Sequence, residues 1–371
     1  MSSNGLSNAS ENASSGTSSS ISQMTDCLQG LRVVDLTRNL PGPFATRLLA
    51  DLGAEIIKIE PKNGDPARAL GGLFEALNHG KTIEKYDFRD PEGIEAIKAH
   101  LKDADVMLDS FRPGVLEGMG LDAKTLHAIN PKLVIVSITG YGSATGEQIK
   151  HEWADKAGHD INFMALSGVL DQLKTAKGEQ AMPNIQFADL AGGSDTAVIA
   201  LLAAVFAAQR SGKGRHVVVS MTHSLYQHMV MPKATGTLVK SFSGQNPPPQ
   251  YDFLGGLLPC YCLYKTADDR YMAVGSLELK FWQGLCDVLA LPELKNKHWQ
   301  LGVMPNTVDS KEAANTVKET FASQPLSHWQ QAFASADVCV TPVLTLEEAK
   351  AHPLFAHQDE YYATLGWQLI G

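Results

Sequence analysis

The amino-acid sequence predicts an α/β fold: a doubly wound, Rossmann-like large domain followed by a smaller α+β domain. The strongest indication is at residues 31–60, where two short apolar runs flank a segment with helical spacing. Two more strand-like runs, at residues 105–108 and 133–139, alternate with helical segments. Because parallel strands need a crossover connection, this alternation is typical of a parallel sheet covered by helices.

Composition divides most of the chain into four predicted parts. Residues 1–26 are rich in Ser, Asn and Gly and bury too little apolar surface to fold, so we expect a disordered tail. Residues 27–225 carry the strand–helix alternation of the large domain. Residues 226–252 include three consecutive prolines and are interpreted as a linker. Residues 253–344 contain a β-hairpin pattern near their start and are predicted to form the small domain.

The overall composition indicates a soluble globular protein. Apolar residues make up 44% of the 371 residues, and no apolar run reaches the roughly 18 residues that a membrane span requires. The net charge of −9 argues against a general nucleic-acid partner, which needs clustered Lys and Arg. Five cysteines without a repeating framework favour free thiols in a reducing compartment. We expect a cytoplasmic protein with no metal site and no membrane or nucleic-acid partner.

The predicted sheet places a ligand crevice at the carboxyl ends of its strands. Four segments follow strand ends, at residues 37–43, 61–68, 110–114 and 140–142. The first strand is followed neither by Gly-x-Gly-x-x-Gly nor by a Walker-type loop. The sequence therefore disfavours a nicotinamide enzyme or a nucleoside-triphosphate enzyme.

Two segments, around His159 and Asp189, carry ionisable residues in settings where burial is expected. A buried histidine and a buried carboxylate can act as an acid–base pair. Asp189 equally fits an N-cap that the helix dipole keeps ionised, and His159 fits a structural histidine. Asp160 fits either a partner that orients the imidazole or, as we prefer, the cap of the helix that begins at Ile161.

Short segments of the chain resemble CoA-transferase family III, in order, from residue 31 to about residue 352. They are Leu-Pro-Gly-Pro-Phe at 40–44, Ala-Asp-Leu-Gly-Ala-Glu at 50–55, Lys-Ile-Glu-Pro at 58–61, Ala-Asp-Val-Met at 104–107 and Phe-Arg-Pro-Gly at 111–114. Segments at 157–163, 272–275 and 339–344 resemble the racemase branch of the family, and Gly-His-Asp-Ile-Asn is the most discriminating of them.

The resemblance implies an interlocked homodimer that acts on an acyl-CoA thioester and needs no cofactor beyond the CoA of the substrate. It implies that His159 and Asp189 racemise a 2-methyl-branched acyl-CoA by 1,1-proton transfer through an enolate, which amides of Gly192–Gly193 are expected to stabilise. Glu278 matches the carboxylate that partners the catalytic histidine from the other subunit, although Leu279 replaces the usual Pro. The alternative is a CoA-transferase in which Asp189 attacks the thioester and forms an acyl anhydride. An inactive acyl-CoA-binding homologue is the third possibility.

The resemblance also assigns residues to the acyl-CoA crevice, and it implies that residues 345–371 return to the large domain. Lys81 and Arg112 match basic residues that contact phosphates. Pro61 replaces a family arginine, which leaves Lys62 to supply the charge. The full set of expected substrate contacts is Asn39, Leu40, Pro61, Lys62, Asn78, Lys81, Ser110, Phe111, Arg112, Gly158, Asp160, Ile161, Asn162 and Phe163.

Overall fold

The computed structural model describes residues 24–142, 152–174, 178–244, 254–305 and 307–356. Its centre is a six-stranded sheet in which neighbouring strands are parallel. A three-stranded antiparallel sheet follows later in the chain. The strands are β1 Arg32–Leu36, β2 Glu55–Pro61, β3 Thr82–Tyr86, β4 Val106–Asp109, β5 Val134–Thr139, β6 Arg215–Ser220, β7 Tyr261–Lys265, β8 Tyr271–Gly275 and β9 Val340–Pro342.

Helices connect the strands and cover both faces of the large sheet. A π-helix at Ala188–Asp195 runs directly into an α-helix. The α-helices are α1 Pro41–Asp51, α2 Leu73–Asn78, α3 Pro91–Lys102, α4 Val115–Gly118, α5 Ala123–Ile129, α6 Asp160–Ser167, α7 Val169–Gln172, α8 Thr196–Ser211, α9 Met221–His228, α10 Val230–Ser243, α11 Leu279–Val288, α12 Val308–Ala322, α13 Leu326–Phe333 and α14 Leu346–Ala351. Short 3₁₀ turns are at Pro66–Ala69, Pro292–Leu294, Trp299–Leu301 and Pro353–Phe355.

The large sheet has the strand order β3-β2-β1-β4-β5-β6, which is a doubly wound order. The winding reverses between β1 and β4, so the loops after these two strands diverge and leave a crevice. The four predicted strands are confirmed as β1, β2, β4 and β5. The structure adds two edge strands, β3 and β6, that the sequence analysis did not predict.

Two apolar cores lie on opposite faces of the large sheet. Val33 of β1 packs with α1 and α8 in one core, which includes Leu49 and Leu201. Val34, the next residue, packs with α3 in the other core, which includes Ile97. Successive strand residues point to opposite faces. Helices therefore cover both faces of the sheet, and the central strands β1, β4 and β5 are buried along most of their length.

The helical segment at residues 188–211 connects the sheet to the crevice. It packs against β5, β6 and α1. By length and composition it could also cross a membrane, and it is the one such helix in the described ranges. One side of it packs on the sheet, whereas Ile199 and Phe206 on its other side are exposed. The sequence analysis predicted an α-helix here and missed the π-helical start.

The small domain packs α11, α12 and α13 against β7–β9 around the buried Trp282 and Phe321. The predicted hairpin is confirmed as the antiparallel pair β7 and β8. The predicted linker contains α10 and is helical to residue 243, and residues 245–253 lie outside the described residues. Residues 1–23 of the predicted tail and 357–371 of the return segment also lie outside them.

Candidate active site

A cavity of about 190 Å³ lies at the carboxyl ends of β1, β4 and β5. It occupies the crevice that the strand order produces. His159 and Asp189 both line it, and so do residues of three predicted strand-end segments. The lining residues are Arg38, Asn39, Pro41, Ser110, Phe111, Arg112, Pro113, Ile138, Thr139, Gly140, Tyr141, Ala154, Lys156, Gly158, His159, Phe163, Asp189 and Met221.

His159 is exposed, so the expectation of a buried histidine is wrong, and it immediately precedes α6. Its backbone N–H donates to Asn162 Oδ1 at 3.0 Å, which fixes the first turn of the helix. Gly158 must lack a side chain, because a Cβ there would lie 2.5 Å from the Tyr141 hydroxyl. The rings of Tyr141 and Phe163 pack edge to face with centroids 5.1 Å apart. This aromatic contact supports the segment that presents the imidazole to the cavity.

Asp160 joins the segment of His159 to the segment of Asp189. Its Oδ1 accepts the backbone N–H groups of Ala188 at 2.6 Å and Asp189 at 3.0 Å. The interpretation that Asp160 caps the helix beginning at Ile161 is wrong, because His159 occupies the N-cap of α6. Asp160 instead satisfies free N–H groups at the start of the π-helix, which is how a carboxylate stabilises a helix N-terminus.

Asp189 lies in the first turn of the π-helix, after Phe187 in the cap position, so the N-cap interpretation of Asp189 is wrong. Burial, together with the nearby Asp160 carboxylate, raises the pKa of the Asp189 carboxyl to about 7. The expectation that the helix dipole keeps Asp189 ionised is therefore also wrong, since desolvation outweighs the dipole. A carboxyl that titrates near neutral pH is suited to general acid–base work.

The π-helix places its glycines away from the cavity. Gly192 and Gly193 are buried. A Cβ at Gly192 would lie 2.9 Å from the carbonyl oxygen of Met221, and one at Gly193 would lie 3.0 Å from Pro41 Cβ. Neither glycine lines the cavity. The expectation that their amides stabilise an enolate is therefore not met by this arrangement.

A second groove, of about 500 Å³, adjoins the cavity, and Arg38 and Phe111 line both. Pro61 and Lys62 line the groove as expected, and the Lys62 ammonium lies 3.1 Å from Asp87. The cavity adds the cationic side chains of Arg112 and Lys156, which form no ion pair with any described residue. Cavity and groove together offer the positive charge that a polyphosphate needs.

Lys81 and Asn78, which were expected to contact the substrate, line neither the cavity nor the groove. The Lys81 side chain is fully buried, and its ammonium donates to the Pro43 carbonyl oxygen at 2.8 Å and to Asn78 Oδ1 at 3.0 Å. Asn78 is buried too, and its Nδ2 donates to the Phe74 carbonyl oxygen at 2.8 Å. The assignment of Lys81 and Asn78 to the substrate is corrected, because their polar atoms are already hydrogen-bonded inside the protein.

The remaining predicted residues fall outside the two concavities. Leu40 precedes α1, and Ile161 and Asn162 lie in α6, but none of the three lines the cavity or the groove. Glu278 is exposed, directly precedes α11 in the small domain, and lines neither concavity of its own chain. A contribution of Glu278 to the site of a second subunit stays a prediction.

Several cavity residues were not singled out from the sequence, among them Arg38, Tyr141 and Lys156. Arg38 and Tyr141 fall inside the predicted strand-end segments 37–43 and 140–142, so the strand-end rule contains the signal that finds them. Lys156 lies three residues before His159 on an irregular segment. No pattern in the sequence marks Lys156 as a cavity residue.

Comparisons with known proteins agree with this fold. A model of CoA-transferase family III matches residues 28–363. The chain is 35% identical to the α-methylacyl-CoA racemase of Mus musculus over 330 residues, which are 88% of this chain and 80% of that protein. It is 30% identical to the human succinyl-CoA:glutarate CoA-transferase over 343 residues, covering 89% of this chain and 74% of that protein. A crystal structure of a CAIB/BAIF family protein from Brucella suis has a TM-score of 0.73 at 28% identity, covering 89% of this chain and 87% of that one.

The fold and the crevice define an α/β protein with a cleft at the reversal of its sheet. The chain belongs to CoA-transferase family III. Family membership implies an acyl-CoA thioester as substrate. Because the relatives include a racemase as well as transferases, membership alone does not choose the reaction.

Proposed function

We propose that this protein racemises 2-methyl-branched acyl-CoA thioesters at the α-carbon, with His159 and Asp189 as its two bases. The observation that carries the proposal is that both side chains line one cavity although they come from separate segments. A thioester acidifies its α-C–H bond. One base removes the proton from one face, and the other returns a proton to the opposite face of the planar enolate. Each positioned base contributes roughly 10² to 10⁴ in rate.

The raised pKa of Asp189 supports its use both as a proton acceptor and as a proton donor. A racemase uses each base as proton acceptor in one direction and as proton donor in the other. With a pKa of about 7, the carboxyl populates both forms near neutral pH, which general acid–base catalysis favours. The cations Arg38, Arg112 and Lys156 at the same crevice provide charge for the phosphates of CoA.

The second candidate is a CoA-transferase in which Asp189 is a nucleophile. Its carboxylate would attack the thioester, release CoA thiolate and form a mixed anhydride. The carboxylate of a second acid would displace the first acid from this anhydride, and the CoA thiolate would then attack the new acyl group, which gives the new acyl-CoA and frees the Asp189 carboxylate. The identity to a succinyl-CoA:glutarate CoA-transferase favours this candidate. His159 favours the racemase, because a transferase needs the aspartate but no second base. An inactive acyl-CoA binder is a weaker third candidate, motivated by Pro61 and Leu279 at positions where the family has other residues.

We also propose that the protein is a homodimer. The exposed Ile199 and Phe206 lie seven residues apart on α8 and form an uncovered apolar stripe. The outer side of β7–β9, with Leu263 and Tyr271, adjoins an open groove of about 980 Å³. Exposed apolar faces of this kind mark interfaces. A second copy of the chain would cover them and could bring its Glu278 to the imidazole of His159.

Proton NMR of an acyl-CoA substrate in D₂O tests the proposed reaction. We expect wild-type protein to exchange the α-proton of both enantiomers of a 2-methylacyl-CoA without any added acid. His159→Ala and Asp189→Asn should each abolish interconversion and lose exchange of one enantiomer, a different one in each variant. His79→Ala is the matched control, because His79 is exposed and lines neither concavity.

A parallel tube with a free carboxylic acid decides between the candidates. CoA transfer to the acid that survives His159→Ala, with no α-proton exchange in the wild type, would replace the racemase with the transferase. Absence of both reactions, with CoA still bound, would leave the inactive binder.

A further inference from the structure

Four charged side chains are buried beneath the loop that joins β1 to α1. Asp35 and Lys58 are fully inaccessible, Asp65 is 3% exposed, and the Lys81 side chain has no exposed surface. Burying charges is costly, and replacing a buried ion pair by apolar residues is often neutral or stabilising. Stability alone therefore does not explain why the fold keeps four of them at this place.

Their contacts converge on the backbone of the loop. Asp35 Oδ1 accepts the N–H of Thr37 at 2.8 Å, and Lys58 Nζ donates to the carbonyl oxygen of Thr37 at 2.8 Å. Asp35 also accepts Thr46 Oγ1 at 2.6 Å and pairs with Lys81 Nζ at 3.4 Å, which ties the loop to α1 and to the end of α2. Both polar backbone groups of Thr37 are thus held by buried charges.

The backbone N–H groups of the next two residues of the loop also donate to side-chain oxygens. The N–H of Arg38 donates to Ser110 Oγ at 3.3 Å. The N–H of Asn39 donates to Asp65 Oδ1 at 3.0 Å, and Asp65 pairs with Lys58 at 3.1 Å. Asn39 has a φ of 66°, a left-handed conformation that costs a non-glycine residue of the order of 1 kcal/mol. Three successive N–H groups therefore end on side-chain oxygens, and one residue is kept in a conformation that it does not prefer.

The loop held in this way carries cavity residues. Arg38 lines both the cavity and the adjoining groove, and Asn39 lines the cavity. We propose that Asp35, Lys58, Asp65 and Lys81 form a positioning network that fixes Arg38 and Asn39 for the phosphate-bearing half of an acyl-CoA. This role rests on the proposed function. The network does not touch the reacting carbon, so its loss should weaken binding of the nucleotide part and spare the proton chemistry.

Asp65→Ala tests the network, because Asp65 alone joins Lys58 to the backbone of Asn39. We expect the KM for a 2-methylacyl-CoA and the Kd of free CoA to rise about tenfold, which corresponds to about 1.4 kcal/mol. The kcat should change little. A truncated substrate, the acyl-pantetheine thioester, lacks the nucleotide, so its kcat/KM should stay close to the wild-type value.

Two further variants separate positioning from folding. Asp51→Ala is the matched control: it removes the carboxylate of another buried ion pair, Arg47–Asp51 at 3.6 Å, and it should not change CoA affinity. If Asp65→Ala does not fold, Asp65→Asn keeps an acceptor for the Asn39 N–H and should give a smaller shift in the same direction.

Amide hydrogen exchange, followed by mass spectrometry without any ligand, gives a readout that does not depend on activity. Peptides covering residues 37–39 should exchange faster in Asp65→Ala and at the wild-type rate in Asp51→Ala. Equal losses on acyl-CoA and acyl-pantetheine, or unchanged exchange of the loop amides, would overturn the positioning role. If the wild type bound no CoA, the proposed function would fail, while faster loop exchange in Asp65→Ala alone would still assign the network to the loop.

Discussion

At the scale of single residues, Asp109 shows how the fold tunes a carboxyl beside the cavity. It is the last residue of β4 and is buried, and it accepts the Ser137 hydroxyl at 2.6 Å and the Phe111 N–H at 3.1 Å. Desolvation nevertheless raises the pKa of Asp109 to about 7, because the two hydrogen bonds only partly offset it, and Glu117 raises it slightly. Asp109 therefore holds the wall residue Phe111 at the cost of burying an ionisable group.

The raised pKa of Asp109 predicts a pH-dependent gain in stability for Asp109→Asn. Between about pH 4 and pH 7 the native state binds more protons at this carboxyl than the unfolded state, so this group makes the free energy of unfolding fall as pH rises. Asparagine removes this penalty. We expect Asp109→Asn to be close to wild type near pH 4 and more stable by the order of 1–3 kcal/mol above pH 7.

Urea denaturation of both proteins at a series of pH values measures the difference. Asp122→Asn is a control of opposite sign, because hydrogen bonds from Thr125 lower the pKa of Asp122, so that its stabilising contribution is lost as pH falls. If the difference in free energy of unfolding between wild type and Asp109→Asn did not change with pH, the raised pKa of Asp109 would be contradicted.

At the scale of elements, the sequence predicts the strands and helices that are apolar on their buried sides. β1, β2, β4 and β5 are mostly buried and were found from their short runs of mainly apolar residues. β3 was missed because it is an edge strand with a mostly exposed, polar sequence, Thr-Ile-Glu-Lys-Tyr. The π-helix was missed because π- and α-helical turns share the same small and apolar residues, and the i→i+5 hydrogen bonds that distinguish a π-helix leave no pattern in the sequence.

Gly192→Ala tests whether close packing of the π-helix holds Asp189 in place. The added Cβ would lie 2.9 Å from the Met221 carbonyl oxygen and 3.3 Å from Leu225 Cγ. We expect a loss of about 1–3 kcal/mol in the free energy of unfolding, together with reduced α-proton exchange, because relief of the clash moves the turn that carries Asp189.

Gly118→Ala is the matched control, because a Cβ at this helical glycine meets no atom within 4 Å. It should leave exchange unchanged and should not destabilise, since alanine favours a helix by up to about 1 kcal/mol over glycine. Equal exchange rates in Gly192→Ala and wild type would show that the position of Asp189 does not depend on this contact.

At the scale of the whole molecule, the sequence predicts which segments meet but not how deep each residue lies. The strand-end rule and the family motifs brought His159, Asp189 and Arg112 to one crevice, and the structure has all three lining one cavity. Lys81 was assigned to the same crevice because its charge and spacing match the family. A sequence pattern does not report that its ammonium is enclosed by four oxygen atoms, because three of them come from residues 35–46, far from Lys81 in the chain.

Whether Glu278 contributes to the site of a partner subunit can be tested by complementation between two inactive variants. If Glu278 completes the site of a partner subunit, a mixed dimer of His159→Ala and Glu278→Gln chains contains one doubly altered site and one intact site. Random reassembly of two inactive variants should then restore about a quarter of the wild-type sites, because half of the dimers are mixed.

The control for this complementation is a mixture of His159→Ala and Asp189→Asn chains. These two residues line the cavity of the same chain, so every site in that mixed dimer lacks one base and no racemisation should return. Recovery in the first mixture alone requires a dimer whose sites are shared through Glu278. Recovery in neither mixture would show that Glu278 does not contribute to the site of a partner subunit.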